Sequence, residues 1–332
     1  MYKRTIAKLL CFALMLSMMP ASAQNQISDE WDLDGLIVRV NADVVLNPEE
    51  TGYVIKTRVK QLSASDLPSD IEEGSETISG ELYTLGDMGE VAALVYSLAA
   101  HVLDIMGWEK NGQEIEGFPR EMAAKRASTL LAALGLDPAE PYVIDTLNLD
   151  GLAGKLEQYI GWGFGQSPEV SQVLDKIRAL IDADEGFYLI YFPLRFQGIS
   201  LMPNQIHAKD HAVMGGARAV VGLTDERVIY VYIENAPEQE GKVLRQGAVI
   251  PVEEAIEGYQ SHVGNILYED NESIDLFKIA YEYVPENTAG KEYDQPILYP
   301  AWCFYHKITG DSYTKQLVIA FDALTGKWIS SR

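Results

Sequence analysis

Apolar positions near the start of the chain alternate as strands do. Leu36-Ile37-Val38-Arg39-Val40 and Tyr53 to Val59 read as two strands, split by the turn-forming cluster Asn47-Pro48-Glu49-Glu50-Thr51-Gly52. Ser63 to Gly80 is polar, acidic and broken by Pro and Gly, and reads as loop. Ala92, Leu94, Val95, Leu98, Val102, Leu103 and Met106 then predict a buried helix over about Asp87 to Met106. Phe118-Pro119-Arg120-Glu121 opens another helix, with Ala123, Ala127, Leu130, Leu131 and Leu134 at helical spacing and Gly135 as its stop. Tyr142 to Leu147 predicts a short strand, and Pro168 to Asp182 a helix.

Phe187 to Phe196 is aromatic and branched, as strands are. Ala217 to Leu223 and Arg227 to Ile233 predict a hairpin around Thr224-Asp225-Glu226. Strand-like Ala248-Val249-Ile250 leads into a helix from Pro251 to Val263. Strands follow near Ile274 to Val284, Tyr299 to Lys307, Lys315 to Phe321 and Lys327 to Ser330. A helix followed by a meander, twice over, predicts an α+β fold: antiparallel sheets with packed helices in two related units.

The first residues set the compartment. Lys3, Arg4 and Lys8 precede an apolar run from Leu9 to Met19; Pro20 and the small-residue site Ala21-Ser22-Ala23 follow. This is the layout of a secretory signal peptide cleaved after Ala23, and its apolar run is short of the roughly 20 residues of a spanning helix. An uncleaved anchor is the rival reading. The expected organisation is a signal peptide over 1–23, a β-rich segment over 24–80, a first α+β unit over 81–240 and a second over 241–332. The expected product is secreted, with no membrane insertion after cleavage.

Composition narrows the partners. With 26 Lys and Arg against 49 Asp and Glu, the net charge is −23, and cleavage would remove three positive charges. Such a surface repels phosphate backbones and anionic headgroups, so nucleic acid is not an expected partner. Its plainest reading is solubility. Cys11 lies in the leader, which leaves Cys303 alone between Trp302 and Phe304. One thiol makes no internal disulfide. Three residues from His306 in a strand, it faces away from that base and reads as a small core residue.

Several constellations invite chemistry and also have plainer readings. Asp322 in Phe321-Asp322-Ala323-Leu324-Thr325-Gly326-Lys327 could be catalytic, but a turn carboxylate beside Thr325 and Gly326 explains it. His207 and His211 stand four apart, as a zinc pair on a helix would. No third ligand is fixed by spacing, and a solvated loop competes with that reading. Glu30 to Ile37 mimics half a calcium loop, yet Asn41 stands where a bidentate carboxylate is needed. Tyr159-Ile160-Gly161-Trp162-Gly163-Phe164-Gly165 is no phosphate loop; its aromatics either bind a partner or close over the core. No Gly-x-Ser-x-Gly elbow occurs. No catalytic residue, metal or cofactor is expected, and the chain is not expected to be an enzyme.

Ile250-Pro251-Val252-Glu253-Glu254-Ala255-Ile256, the strands after it and the closing Asp322 to Lys327 resemble a PepSY-type module. The approach Tyr299-Pro300-Ala301-Trp302 resembles that of YycI-type extracytoplasmic regulators, and secreted proteins of Gram-positive gut bacteria share the layout. The resemblance covers about Ala248 to Ser330, and more weakly Phe118 to Glu234. It implies two PepSY-like helix-plus-meander units that bind a protein or peptide. YycI-type regulators carry a transmembrane tether, which is not found here, so direct control of a kinase does not carry over. The expectation is a secreted, non-catalytic interaction or regulatory module, with Trp162, Phe164, Tyr299 and Trp302 as its binding surface. The alternative is an extracytoplasmic hydrolase with an unfamiliar site.

Overall fold

The structure is a computed structural model and describes residues 25–33, 35–45, 50–60, 62, 76–78, 82–84, 114–141, 143–147, 187–203, 205–207, 213–226, 228–265, 272–287, 295–310 and 314–329. The signal peptide, the expected helices at Asp87 to Met106 and Pro168 to Asp182, and the aromatic–glycine stretch with Trp162 and Phe164 lie outside the described residues.

The elements in chain order are β1 (Asn25–Leu33), β2 (Leu36–Val45), β3 (Thr51–Lys56), β4 (Glu76–Ile78), β5 (Leu82–Thr84), α1 (Arg120–Ala133), β6 (Val143–Leu147), β7 (Phe187–Pro193), β8 (Arg195–Phe196), β9 (Ile199–Ser200), β10 (Gln205–His207), β11 (Val213–Gly215), β12 (Arg218–Leu223), β13 (Val228–Glu234), β14 (Lys242–Ala248), α2 (Val252–Gly264), β15 (Ser273–Asn287), β16 (Ile297–Thr309) and β17 (Thr314–Asp322). They fall into two compact units. One holds the described parts of Met1–Thr57, Ile206–Met214 and Gly241–Arg332. The other holds those of Arg58–Gln205 and Gly215–Glu240.

The first unit is built on one nine-stranded sheet with the central order β1-β2-β15-β16-β3-β14. β15, β16 and β17 form the expected antiparallel meander. The meander does not stand alone, because β2 runs parallel to β15 on its outer side, Val38 opposite Ile274. Beyond β2 lies β1, paired from Asn25 to Leu33. Leu33 faces Leu36 across a two-residue loop in which Gly35 takes a φ of 101° and donates its N–H to Asp32 Oδ1 at 2.9 Å. This is hairpin geometry that suits the Asp-Gly pair in the sequence.

These pairings overturn the expected fold class. The protein is mostly β, with a curled, mixed sheet, and not an α+β fold of antiparallel sheets under packed helices. Among the described residues there are two helices of 14 and 13 residues. The local pattern marks the meander strands but not their neighbours. A meander with an unpaired side binds whatever strand presents matching backbone, here one from the far end of the chain.

Helix α2 packs over one face of this sheet. Val252, Ala255, Ile256, Tyr259 and Val263 are buried at helical spacing. The Tyr259 ring stacks on Phe304 at 4.6 Å and meets Trp31 and His306 edge-on. Aromatic pairs of this kind add about 0.5–1.5 kcal/mol each beyond the area they bury. The helix begins with Pro251 in the N-cap position, where a missing N–H costs nothing.

In the second unit, β13, β12, β7 and β6 form an antiparallel sheet. Every residue of β7 and β12 is buried; β7 is an unbroken apolar run and β12 is apolar after Arg218. Helix α1 buries Ala123, Ala127, Leu130 and Leu131. Its Arg126 reaches the hairpin between β12 and β13 and donates to the carbonyls of Thr224, Asp225 and Glu226. Arg218 and Glu234, opposite each other on those strands, form a buried ion pair at 3.2 Å. Among the described residues no helix is long and apolar enough to cross a membrane.

Candidate functional site

The sheet of the first unit forks along one side of β16. From Ala301 to Thr309 that side pairs with β17, whereas Ile297 and Leu298 pair with β3. The carbonyl of Pro300, at the crotch, accepts from the N–H of Ala323 as the chain leaves β17. Strand alternation puts Ile297, Tyr299 and Ala301 on one face. Cross-strand register adds Glu286 opposite Ile297 and Asp322 opposite Ala301. This face is the one turned away from α2, since Trp302 and Phe304 occupy the other.

A cleft of ≈ 730 Å³ opens at the fork. Val54, Ile297, Tyr299 and Ile329 supply its apolar walls, and Arg245, Asp322, Thr325, Lys327 and Glu286 its polar ones; the Trp328 residue borders the cleft, but its ring lies on the α2 side of the sheet. Arg245 arrives through a bulge in β14. Val243 faces Ile55 and Arg245 faces Val54, so Leu244 is the extra residue. Without the bulge, Leu244 would stand opposite Val54; with it, a guanidinium does.

Arg245 Nη2 binds Asp322 Oδ2 at 2.7 Å, while Oδ1 of the same carboxylate accepts from the N–H of Leu324 at 2.8 Å. The main-chain oxygen of Asp322 accepts from Thr325 and Gly326, and Gly326 adopts a φ of 66°. Asp322 therefore makes its turn, as expected, and also fixes one arm of a cleft cation. Among the described residues the Lys327 ammonium and the Glu286 carboxylate have no ion-pair or hydrogen-bond partner. Trp328 is 45% exposed, and its ring lies 4.3 Å from that of His262 in the last turn of α2. Burial pulls the His262 imidazole below its ordinary pKa.

The expected binding residues separate. Tyr299 lines the cleft. Trp302 does not: it is buried, and its indole N–H donates to the carbonyl of Ile250 at 3.1 Å, which makes it a core residue. Arg245, Glu286 and Lys327 are not among the expected binding residues. Arg245 carries no local signal, because its placement depends on the bulge.

The other candidates resolve as structure. Glu30 and Asp32 belong to β1 and its hairpin, so the calcium-loop reading fails. His207 ends strand β10 and is not on the helix that a pair with His211 would need; His211 lies outside the described residues. Among the described residues no group of three or more His, Cys, Asp or Glu is placed to hold a metal. Cys303 is fully buried. Burial pushes its thiol well up, the Glu282 carboxylate adds to that, and Lys278 opposes both. Glu282 itself is held by the Tyr305 hydroxyl and by Lys278 Nζ at 2.9 Å, the latter lying over the Tyr305 ring. A thiol held protonated in this cluster is a poor nucleophile.

No family model matches the chain, and no curated protein does. Among solved structures, the chain is similar to an uncharacterised protein from Eubacterium rectale ATCC 33656, with a TM-score of 0.60 and 12% identity over 94% of this chain and 97% of that one. The likeness concerns the fold.

Proposed function

We propose that this protein is a non-catalytic binding module that takes an extended peptide or protein segment outside the membrane. The observation that carries the reading is the combination of an open strand edge with the forked-sheet cleft. β14 closes the sheet path, and among the described residues it pairs only with β3. Nearly all of its length is exposed, including Val243 and Leu244. An exposed edge offers unpaired main-chain donors and acceptors to an incoming strand. Affinity then comes from main-chain bonds and specificity from pockets that take side chains. Arg245 belongs to both features, since it lies on β14 and lines the cleft.

Selection from a displayed library of internal random peptides, followed by calorimetry on the full chain, tests the reading. Enriched sequences should bind the native protein and lose affinity with Tyr299→Ala or Ile297→Ala. A protein that enriches nothing, yet cleaves a peptide or glycan panel, would be a hydrolase instead.

A further inference from the structure

We infer that the cleft receives the free C-terminal carboxylate of a peptide whose last side chain is apolar. The inference rests on the peptide-binding reading and names the part of the peptide that the cleft recognises. The cleft has a positive end and a negative end. At the positive end, Arg245 spends one donor on Asp322, and a guanidinium has five. Lys327 lines the same cleft, joined to Asp322 through its main-chain carbonyl, and its ammonium has no partner among the described residues. Asp322 is already engaged by Arg245 and by the N–H of Leu324, so it leaves this end with a surplus positive charge.

That surplus is unusual ground in a chain of net charge −23. The surrounding field does not attract anions, so recognition has to come from short-range charge-assisted bonds, which an arginine fork gives to a carboxylate. Asp322 holds the fork in place before any ligand arrives. Pre-organisation of this kind lowers the entropy lost on binding.

Between the ends, Val54, Ile297, Tyr299 and Ile329 make an apolar wall. It suits the last side chain of a peptide and not a fully hydrated dicarboxylate. Glu286, at the other end and also without a partner among the described residues, suits a basic residue upstream. The volume of ≈ 730 Å³ lies within the range of small-ligand sites and has room for a terminal residue.

Two synthetic hexapeptide libraries test this on the full chain. Both end in Leu, Val or Phe, one as free acid and one as C-terminal amide. The free acids should bind at least about tenfold more tightly than the amides, the size expected for a charge-assisted contact. Lys327→Gln and Arg245→Lys should each narrow the ratio of acid to amide affinity. Lys327→Gln touches no hydrogen bond in the cleft, so a folding failure at Arg245 would not obscure the result. Equal binding of acids and amides overturns the carboxylate inference and leaves the peptide reading standing. Binding of internal displayed peptides without binding of free acids does the same. If neither library nor the displayed peptides bind, both fall together.

Discussion

Asp322 separates two roles that one side chain carries. Its Oδ1 closes a turn and its Oδ2 holds Arg245. Asparagine keeps the first and loses the charge needed for the second. Asp322→Asn should therefore cost under about 1 kcal/mol, since the partner is 48% exposed and such ion pairs are weak. Asp322→Ala should cost about 1 kcal/mol more through the lost turn bond. Urea denaturation of both variants checks this, and equal losses would remove the turn role. Cys303 gives a second residue-level expectation. Buried and held protonated, it should resist a thiol reagent at mildly alkaline pH in the native protein and react fully once denatured. Rapid native labelling would contradict its place in the core. Glu282, nearly fully buried between Tyr305 and Lys278, should be costly to truncate. The Lys278 left behind is 33% exposed and can turn to solvent, so Glu282→Ala is expected to cost about 1–3 kcal/mol, the range for unmaking a buried hydrogen bond, read from the denaturation midpoint.

Elements add constraints that no single residue carries. The last turn of α2 favours a cation, yet burial against Trp328 and Phe321 outweighs that preference at His262. Its folded pKa lies below the ordinary value of 6.5, so the unfolded chain takes the proton first as pH falls. The stability it contributes is full above the ordinary value and is lost as pH drops below it, until the folded imidazole also protonates. His262→Gln should flatten that part of the stability profile; an unchanged slope would sink the assignment. Gly52, in β3, is a steric constraint of another kind. A Cβ there would sit 2.8 Å from Leu324 Cδ2 and 3.0 Å from the Tyr281 hydroxyl. Gly52→Ala should destabilise by about 1–3 kcal/mol, measured by thermal or chemical unfolding.

Elements are also where the sequence was most readable. α1, α2, β7, β12, β13 and the β15–β17 meander were visible in apolar spacing and turn residues, because these signals are local. β1 carries acidic residues at the spacing of a cation loop, which masks its Asp34-Gly35 hairpin signal. The strand order was not legible, since the β2–β15 contact joins segments separated by most of the chain. The cleft was legible only at Tyr299 and Asp322. Its remaining charges reach it through a bulge and a fork, which are properties of pairing and not of composition.

For the molecule as a whole, the parallel contact of β2 with β15 decides how the first unit comes together. Val38, Val40, Ala42 and Val44 are buried in the finished sheet. β2 is the second strand of the described chain, and its partner β15 follows the second helix. A ribosome or an export channel delivers the N-terminus first. The hairpin β1–β2 must then wait, with a greasy row uncovered, until almost everything else has emerged. Nascent chains halted before Ser273 should therefore be chaperone clients and protease-sensitive at the hairpin, and chains released after Asp322 should not.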